Sequence, residues 1–200
     1  MLEQHPYHFN LAAMAHAAML EHGFQPDLTA AAAAEAACIA TQPEAVPAAG
    51  AKDLRTLLWS SIDNDESRDL DQIEWAEKLP DGRIRVLIGV ADVDSRVHRG
   101  SPLDSHARSE TTSVYTGVRV FPMLPVELSE HATSLNENED RAAMVVEYTV
   151  GGDGSVADGK AYPALVRNHA QLAYNGVGAW LEGKGPAPAR SQPTKSSPHS

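Results

Sequence analysis

Residues 61–75 read SIDNDESRDLDQIEW. Six carboxylates and one arginine fall between positions 63 and 74, so this short run alone carries a charge of −5. Like charges this close raise the cost of ionising one another. The flanks decide the fold class. TLLWSSI before the run is rich in β-formers, and QIEWAEKL after it alternates apolar and polar residues with a period of two. The acidic run is therefore the loop of a strand–loop–strand unit.

The same reading extends outward. QIEWAEKL, PDG and RIRVLIGVADV make a hairpin with a tight turn at Asp81-Gly82, and AAMVVEYTV, GGDG and SVADGKAYPALV make a second one. SPLDSHARSE reads as a short helix with Ser101 as cap and Pro102 in the first turn. HAQLAYNGVGAWLEG reads as a helix ending at Gly183. Upstream, residues 8–22 form an amphipathic helix with Leu11, Met14, Ala18 and Met19 near helical spacing, and PDLTAAAAAEAACIA forms another, capped near Asp27 or Thr29. The Pro/Ala/Gly-rich stretch 41–53 reads as a linker, and KGPAPARSQPTKSSPHS as a disordered tail. The expected fold is α+β, with antiparallel hairpins and packed helices. It divides into a helical extension and linker at 1–50, a main domain at 51–185 and a tail at 186–200.

Composition bounds the function. Two hundred residues, 42% of them apolar, suit one domain with appendages. The net charge of −11 argues against a general polyanion binder, which carries a basic footprint. A chain of this charge handles nucleic acid through a local groove, a metal ion or parts outside this sequence. Eleven arginines against five lysines favour fork-like contacts with carboxylate or phosphate. Cys38 is the single cysteine, which leaves no disulfide partner and no cysteine-based zinc site. The first twenty residues lack a charged leader and a sustained apolar run, so neither a signal peptide nor a membrane span is expected and the protein is read as cytoplasmic.

Three readings of the acidic loop stand side by side. It can be a solvated turn. It can be a calcium loop, because Asp63, Asp65, Ser67, Leu70 and Glu74 match the first, third, fifth, eighth and twelfth positions of an EF-hand; Arg68 stands where the sharp turn wants glycine, and the flanks are strands. It can be a magnesium site, because Mg2+ takes hard oxygen ligands from a few carboxylates plus phosphate oxygens. Asp69 and Asp71, two apart in an extended segment, point to one face, and Asp63 returns from the far side of the loop. Such a cluster offsets the charge of a phosphodiester and activates a water for in-line attack. Composition alone does not choose among the three.

The surrounding blocks do. SIDNDESRDLDQ resembles the signature loop of the ribonuclease II / ribonuclease R (RNB) family of exoribonucleases. IGVADVDSRVHRGSPLDSHARSETTSVY, RVFPMLPVELSEHATSLNENEDRAAMVVEYTV and VRNHAQLAYNGVGAWLEGKG resemble that family's following blocks at the right distances, over roughly residues 53–185. The resemblance implies processive 3′-to-5′ hydrolysis of single-stranded RNA with Mg2+, or Mn2+ in its place, releasing nucleoside 5′-monophosphates. It puts the metal-binding aspartates on Asp63, Asp69 and Asp71, and the most sensitive catalytic position on Asp71. The family's pattern ends in an Asp-Asp pair, whereas this chain has Gln72, which supplies an oxygen without charge; Glu74 or Asp65 would have to compensate. It also puts RNA contacts on Tyr115 and Tyr174, where stacking on an aromatic face is tolerant of base sequence.

Other residues are read more plainly. Asp92 is either near the metal cavity or a structural hydrogen-bonding residue. The nine histidines are read as surface residues, RVHRG (96–100) as a small basic patch that is either a solvated turn or a contact to phosphate, and Trp59, Trp75 and Trp180 as core. The family's later segments, with a further arginine and glutamate near the scissile phosphate, and its small RNA-binding barrels have no counterpart here. The resemblance thus implies the front part of a catalytic domain with reduced or no activity of its own, or else a remnant that binds metal and RNA.

Overall fold

The structure, a computed structural model, describes residues 9–42 and 48–188. Helix α1 (Leu11–Glu21) starts at Asn10, whose side-chain oxygen accepts the Ala13 N–H, and α2 (Ala30–Ala40) starts at Thr29, whose hydroxyl accepts the Ala32 N–H. Of the two candidate caps for α2, Thr29 is the one used. There follow β1 (Lys52–Asp53), β2 (Trp59–Asp63), β3 (Gln72–Lys78), β4 (Ile84–Ala91), α3 (Pro102–Glu110), β5 (Val114–Tyr115), β6 (Val120–Phe121), a π-helical turn (Glu127–Ala132), β7 (Asp140–Val150), β8 (Val156–Ala173) and α4 (Tyr174–Leu181). Ser101 caps α3 by accepting the Asp104 N–H.

Both expected hairpins form, β3–β4 around Gly82 and β7–β8 around Gly154, and both glycines take the positive φ that these tight turns demand. The sheet order is β1-β8-β2-β3-β4-β7, and β7 also pairs with β8. That last pairing closes the sheet into a barrel. The side chains of Trp59, Leu70, Ile73, Leu87, Leu135, Val145 and Val166 fill it. Trp59 is fully buried and donates its indole N–H to the Leu54 carbonyl. Gly89 makes room for this filling: a Cβ there would lie 3.0 Å from Ile73 and 3.7 Å from the Trp59 ring.

A second core joins the helices. Ala32, Ala36 and Ile39, at helical spacing on α2, bury against Leu103 of α3 and Leu128 of the π-helical turn. Two carboxylates stitch the layer: Glu35 accepts the Leu103 N–H at 2.9 Å, and buried Glu110 accepts the Gln25 N–H.

Several expectations are corrected. Residues 169–173, expected in the last helix, are the end of β8 and pair in parallel with β2, Asp63 opposite Ala173. Closing the barrel uses these residues as strand, and long-range pairing overrides their local helical pattern. Trp180 lies on α4 as expected but is 48% exposed, while Trp59 is core and Trp75 packs partly against it. His106 is buried on α3, and half-buried His169 hydrogen-bonds the Arg55 carbonyl. Arg96, expected in a solvated turn, is also buried. Within the expected linker, Lys52–Asp53 pair with β8 and residues 43–47 lie outside the described residues, as does most of the expected tail, 189–200.

Candidate active site

The acidic loop leaves β2 at Asp63 and re-enters the barrel wall at Gln72. Its path is set by buried polar groups rather than by its own charges. Leu70 is buried in the barrel core; its N–H donates to the Ser134 hydroxyl at 3.0 Å, and its carbonyl accepts the Leu135 N–H at 2.9 Å. The Ser134 hydroxyl lies 2.8 Å from the Arg68 carbonyl, to which it donates. Gln171 on β8 donates its amide to the Ser67 carbonyl at 3.0 Å. Buried Asn168 donates to the Ser61 hydroxyl and the Leu135 carbonyl, both at 3.0 Å. Leu70 is thus a plug flanked by two aspartates that it holds at the barrel mouth.

At that mouth the carboxylates crowd together. Burial pushes the Asp71 carboxyl up from its ordinary range, and the negative charges of Asp69 and Asp63 push it further. The Asp71 carbonyl accepts the Ala91 N–H at 2.9 Å, which fixes the backbone where the loop joins β3. One Asp63 oxygen accepts both the Asn64 N–H and the Ser67 hydroxyl. Tyr115, on the β5–β6 ribbon, donates its hydroxyl to Asp69 at 3.1 Å. Burial first, then this bond and the three aspartates, raise the Tyr115 pKa. The Tyr115 ring is 67% exposed, so its face is open to a ligand.

The three aspartates are close enough to feel one another, yet among the described residues no group of three or more His, Cys, Asp or Glu side chains forms a ready cage for a metal ion. Gln72 opens β3 opposite Val90, and strand alternation sends it to the face of Glu74, away from Ile73 and the interior. Glu74 does not reinforce the cluster: it lies at the register of Ser60 and Ile88, one of its oxygens is buried without a partner, and burial pushes its pKa up to about 7. Asp65 is exposed on the loop and lines the cavity beside it. Tyr174, 55% exposed, is the first residue of α4 and directly follows Ala173, the register partner of Asp63. Asp92 lines a different cleft of water size, with Arg96 and Asp140. The loop joins two strands, so the helix–loop–helix frame of an EF-hand is not formed.

An open cavity of about 770 Å³ lies beside the cluster, walled by Asp69 and Ser67 of the loop, Tyr115, Glu130 and Asn175. Its lining carries the carboxylates of Asp65, Glu66, Asp69 and Glu130 together with Tyr115; Asp63 and Asp71, expected to point into one cavity with Asp69, do not line it. Ser134, Asn168 and Gln171, which hold the loop, escape a reading of residue types because each acts through hydrogen bonds to residues far away in sequence. All three lie within blocks that carry the resemblance, Ser134 in SLN and Asn168 and Gln171 in VRNHAQLAYNG, which was the one available signal.

Comparison with known proteins gives a consistent result. The RNB domain family matches residues 51–197. The chain is 40% identical over 144 residues to Ribonuclease R of Vibrio parahaemolyticus, which is 72% of this chain and 17% of that protein. It is 36% identical over 135 residues to Exoribonuclease 2 of Salmonella paratyphi B, 67% of this chain and 21% of that one. The structure of Mycoplasma genitalium RNase R in complex with ribose methylated single-stranded RNA superposes with a TM-score of 0.76 at 28% identity, over 86% of this chain and 27% of the other. The chain thus spans about a fifth of the length of the curated relatives it matches. Among the described residues no helix is long and apolar enough to cross a membrane.

Proposed function

The chain belongs to the RNB domain family, and on that premise we propose that its acidic loop is the hydrolytic site of a Mg2+-dependent exoribonuclease that shortens single-stranded RNA from the 3′ end to nucleoside 5′-monophosphates. The observation that carries this reading is Asp71, crowded at the barrel mouth by Asp69 and Asp63, with the Tyr115 hydroxyl on Asp69 and an open groove alongside.

The donor set fits magnesium in its chemistry. Mg2+ keeps several waters and is held by one or two carboxylates with substrate phosphates, so a pre-formed three-carboxylate cage is not required. Asp69 and Asp71 would hold it, Asp63 would add charge, and Gln72 would contribute at most an uncharged oxygen. When bound, the ion (Mn2+ as a substitute) supplies charge compensation at the scissile phosphodiester.

The chain's own residues do the rest. Asp71, on which the resemblance puts the most sensitive catalytic position, would help hold the ion and position an attacking water beside it. Tyr115 orients Asp69 through its hydroxyl and offers its ring to a base. Tyr174, at the start of α4, offers a second exposed ring. Neither contact distinguishes one base from another, which suits degradation without sequence preference.

A second reading, a metal- and RNA-binding element without turnover, is favoured by the absence of a gathered carboxylate cage among the described residues and by Gln72 in place of an acid. One experiment separates the two. The chain is incubated with 5′-labelled single-stranded RNA and Mg2+, alongside Asp71→Asn. Hydrolysis to mononucleotides that Asp71→Asn abolishes while RNA binding persists supports the nuclease. No hydrolysis by either, with Mg2+ still displacing Mn2+ from the wild type but not from the variant, supports the binding element. Equal loss of binding and cleavage in Asp71→Asn refutes the catalytic role of Asp71, and submicromolar preference for Ca2+ refutes both readings.

A further inference from the structure

Arg96 is buried, 8% exposed, and its Nε is fully enclosed without a partner. Among the described residues no hydrogen bond or ion pair reaches its guanidinium. A buried cation left unpaired is costly, and proteins leave few such groups without an anion or water to meet them. Arg96 borders two spaces. One is the water-sized cleft shared with Asp92 and Asp140, neither of which forms an ion pair with it; Asp140 is already engaged by Arg55 and Arg167. The other is a cavity of about 280 Å³ between α2 and the π-helical turn, walled by Arg96, Gln42, His131, Glu127 and Arg141. Arg141 is committed elsewhere, to Glu139 and to the Ser134 carbonyl. Glu127 faces the cavity without pairing with Arg96.

We propose that this cavity binds a phosphate-sized oxyanion, held by the Arg96 guanidinium with the His131 ring and the Gln42 amide as further donors. A guanidinium presents a planar fork of donors that matches two oxygens of such an anion, and the burial of Arg96 itself strengthens its charge-assisted bonds. The overall charge of −11 means that capture depends on this short-range contact, not on long-range steering. One wall, α2, lies outside the stretch that matches the RNB family, which begins at residue 51. The site therefore sits at the seam between the N-terminal helices and the barrel domain, separate from the aspartate cluster, and it does not depend on the hydrolytic reading.

The test uses the full chain without RNA or metal, in phosphate-free buffer. Inorganic phosphate and, in a second arm, adenosine 5′-monophosphate are titrated while the arginine Nε–Hε signals are followed by NMR. The expected result is a saturable shift of one signal that is missing in Arg96→Met, with binding in the range of about 0.1–10 mM. Tighter binding of the nucleotide identifies a nucleotide's terminal phosphate as the natural source; equal binding identifies free phosphate. Phosphate is expected to raise the melting temperature of the wild type by about 3 °C or more and that of Arg96→Met by less than about 1 °C. Should Arg96→Met fail to fold, His131→Ala is expected to weaken phosphate binding at least about threefold with Arg96 in place. The proposal is overturned if no signal shifts saturably up to about 50 mM phosphate, if the same shift persists in Arg96→Met, or if acetate at equal concentration binds as well as phosphate.

Discussion

Glu74 offers a direct test of how β3 packs. It stands on β3 with one oxygen buried and unpartnered, and burial pushes its pKa from 4.5 to about 7. In the unfolded chain the same carboxyl ionises near its ordinary value. Between those two values the unfolded state releases its proton more readily than the folded one, so raising the pH pulls the equilibrium toward unfolding. The contribution is fully favourable below about pH 4.5, is lost progressively as the pH rises through about 7, and stays lost above that. The difference between the two pKa values corresponds to roughly 3 kcal/mol, and water reaching the partly exposed edge of the side chain brings the measurable part to about 1–2 kcal/mol. Glu74→Gln removes the ionisation while keeping the shape. The amide's own burial cost is the same at every pH, so the difference between two pH values isolates the charge. Urea unfolding of wild type and variant at about pH 5 and pH 8.5 is the assay. At the higher pH the variant is expected to gain about 0.5–1 M in midpoint relative to the wild type, compared with the lower pH. If the two proteins lose stability in parallel as the pH rises, Glu74 is solvated in the folded state and the reasoning fails.

Three further outcomes are expected. Ser134→Ala removes the acceptor of the buried Leu70 N–H and should cost about 1–3 kcal/mol, lowering the thermal midpoint by roughly 2–4 °C for each; a midpoint within about 1 °C of wild type would show that the loop is held some other way. Tyr115→Ala should weaken single-stranded RNA binding by about 1–3 kcal/mol whatever the base sequence, while Tyr115→Phe, which keeps the ring and loses only the bond to Asp69, should bind nearly as well; equal weakening by both would rule out stacking. Glu147 is held at about 2 because, although its burial raises its pKa, bonds from Arg85, Tyr162 and Lys160 outweigh that effect, so Glu147→Gln should destabilise the fold at pH 7, and the difference from wild type should shrink as the pH falls from about 4.5 toward 2 in acid unfolding.

The local pattern was sufficient for much of this architecture. Alternation identified the two hairpins, Thr29 and Ser101 were legible as caps, and the strand signals on both sides of residues 63–74 placed the acidic run in a loop, because each of these depends on neighbours in sequence. The resemblance carried by the PMLP, SLN and DR blocks pointed to the family that the comparisons bear out. Only the tertiary structure decided the rest. The parallel pairing of β2 with residues 168–173 turned an expected helix into the strand that closes the barrel, because ladder bonds between distant segments outweigh local propensity. The raised pKa of Asp71 needs two things: partial burial of its carboxyl where the loop, anchored at Leu70 by Ser134, rejoins the sheet, and the charges of Asp69 and Asp63 from the same run. Arg96 sits in a stretch that reads as a solvated basic turn, and its burial follows from the packing of α2 and the π-helical turn around it. Charge patterns along a chain say which groups repel; only the fold says which of them lose their water.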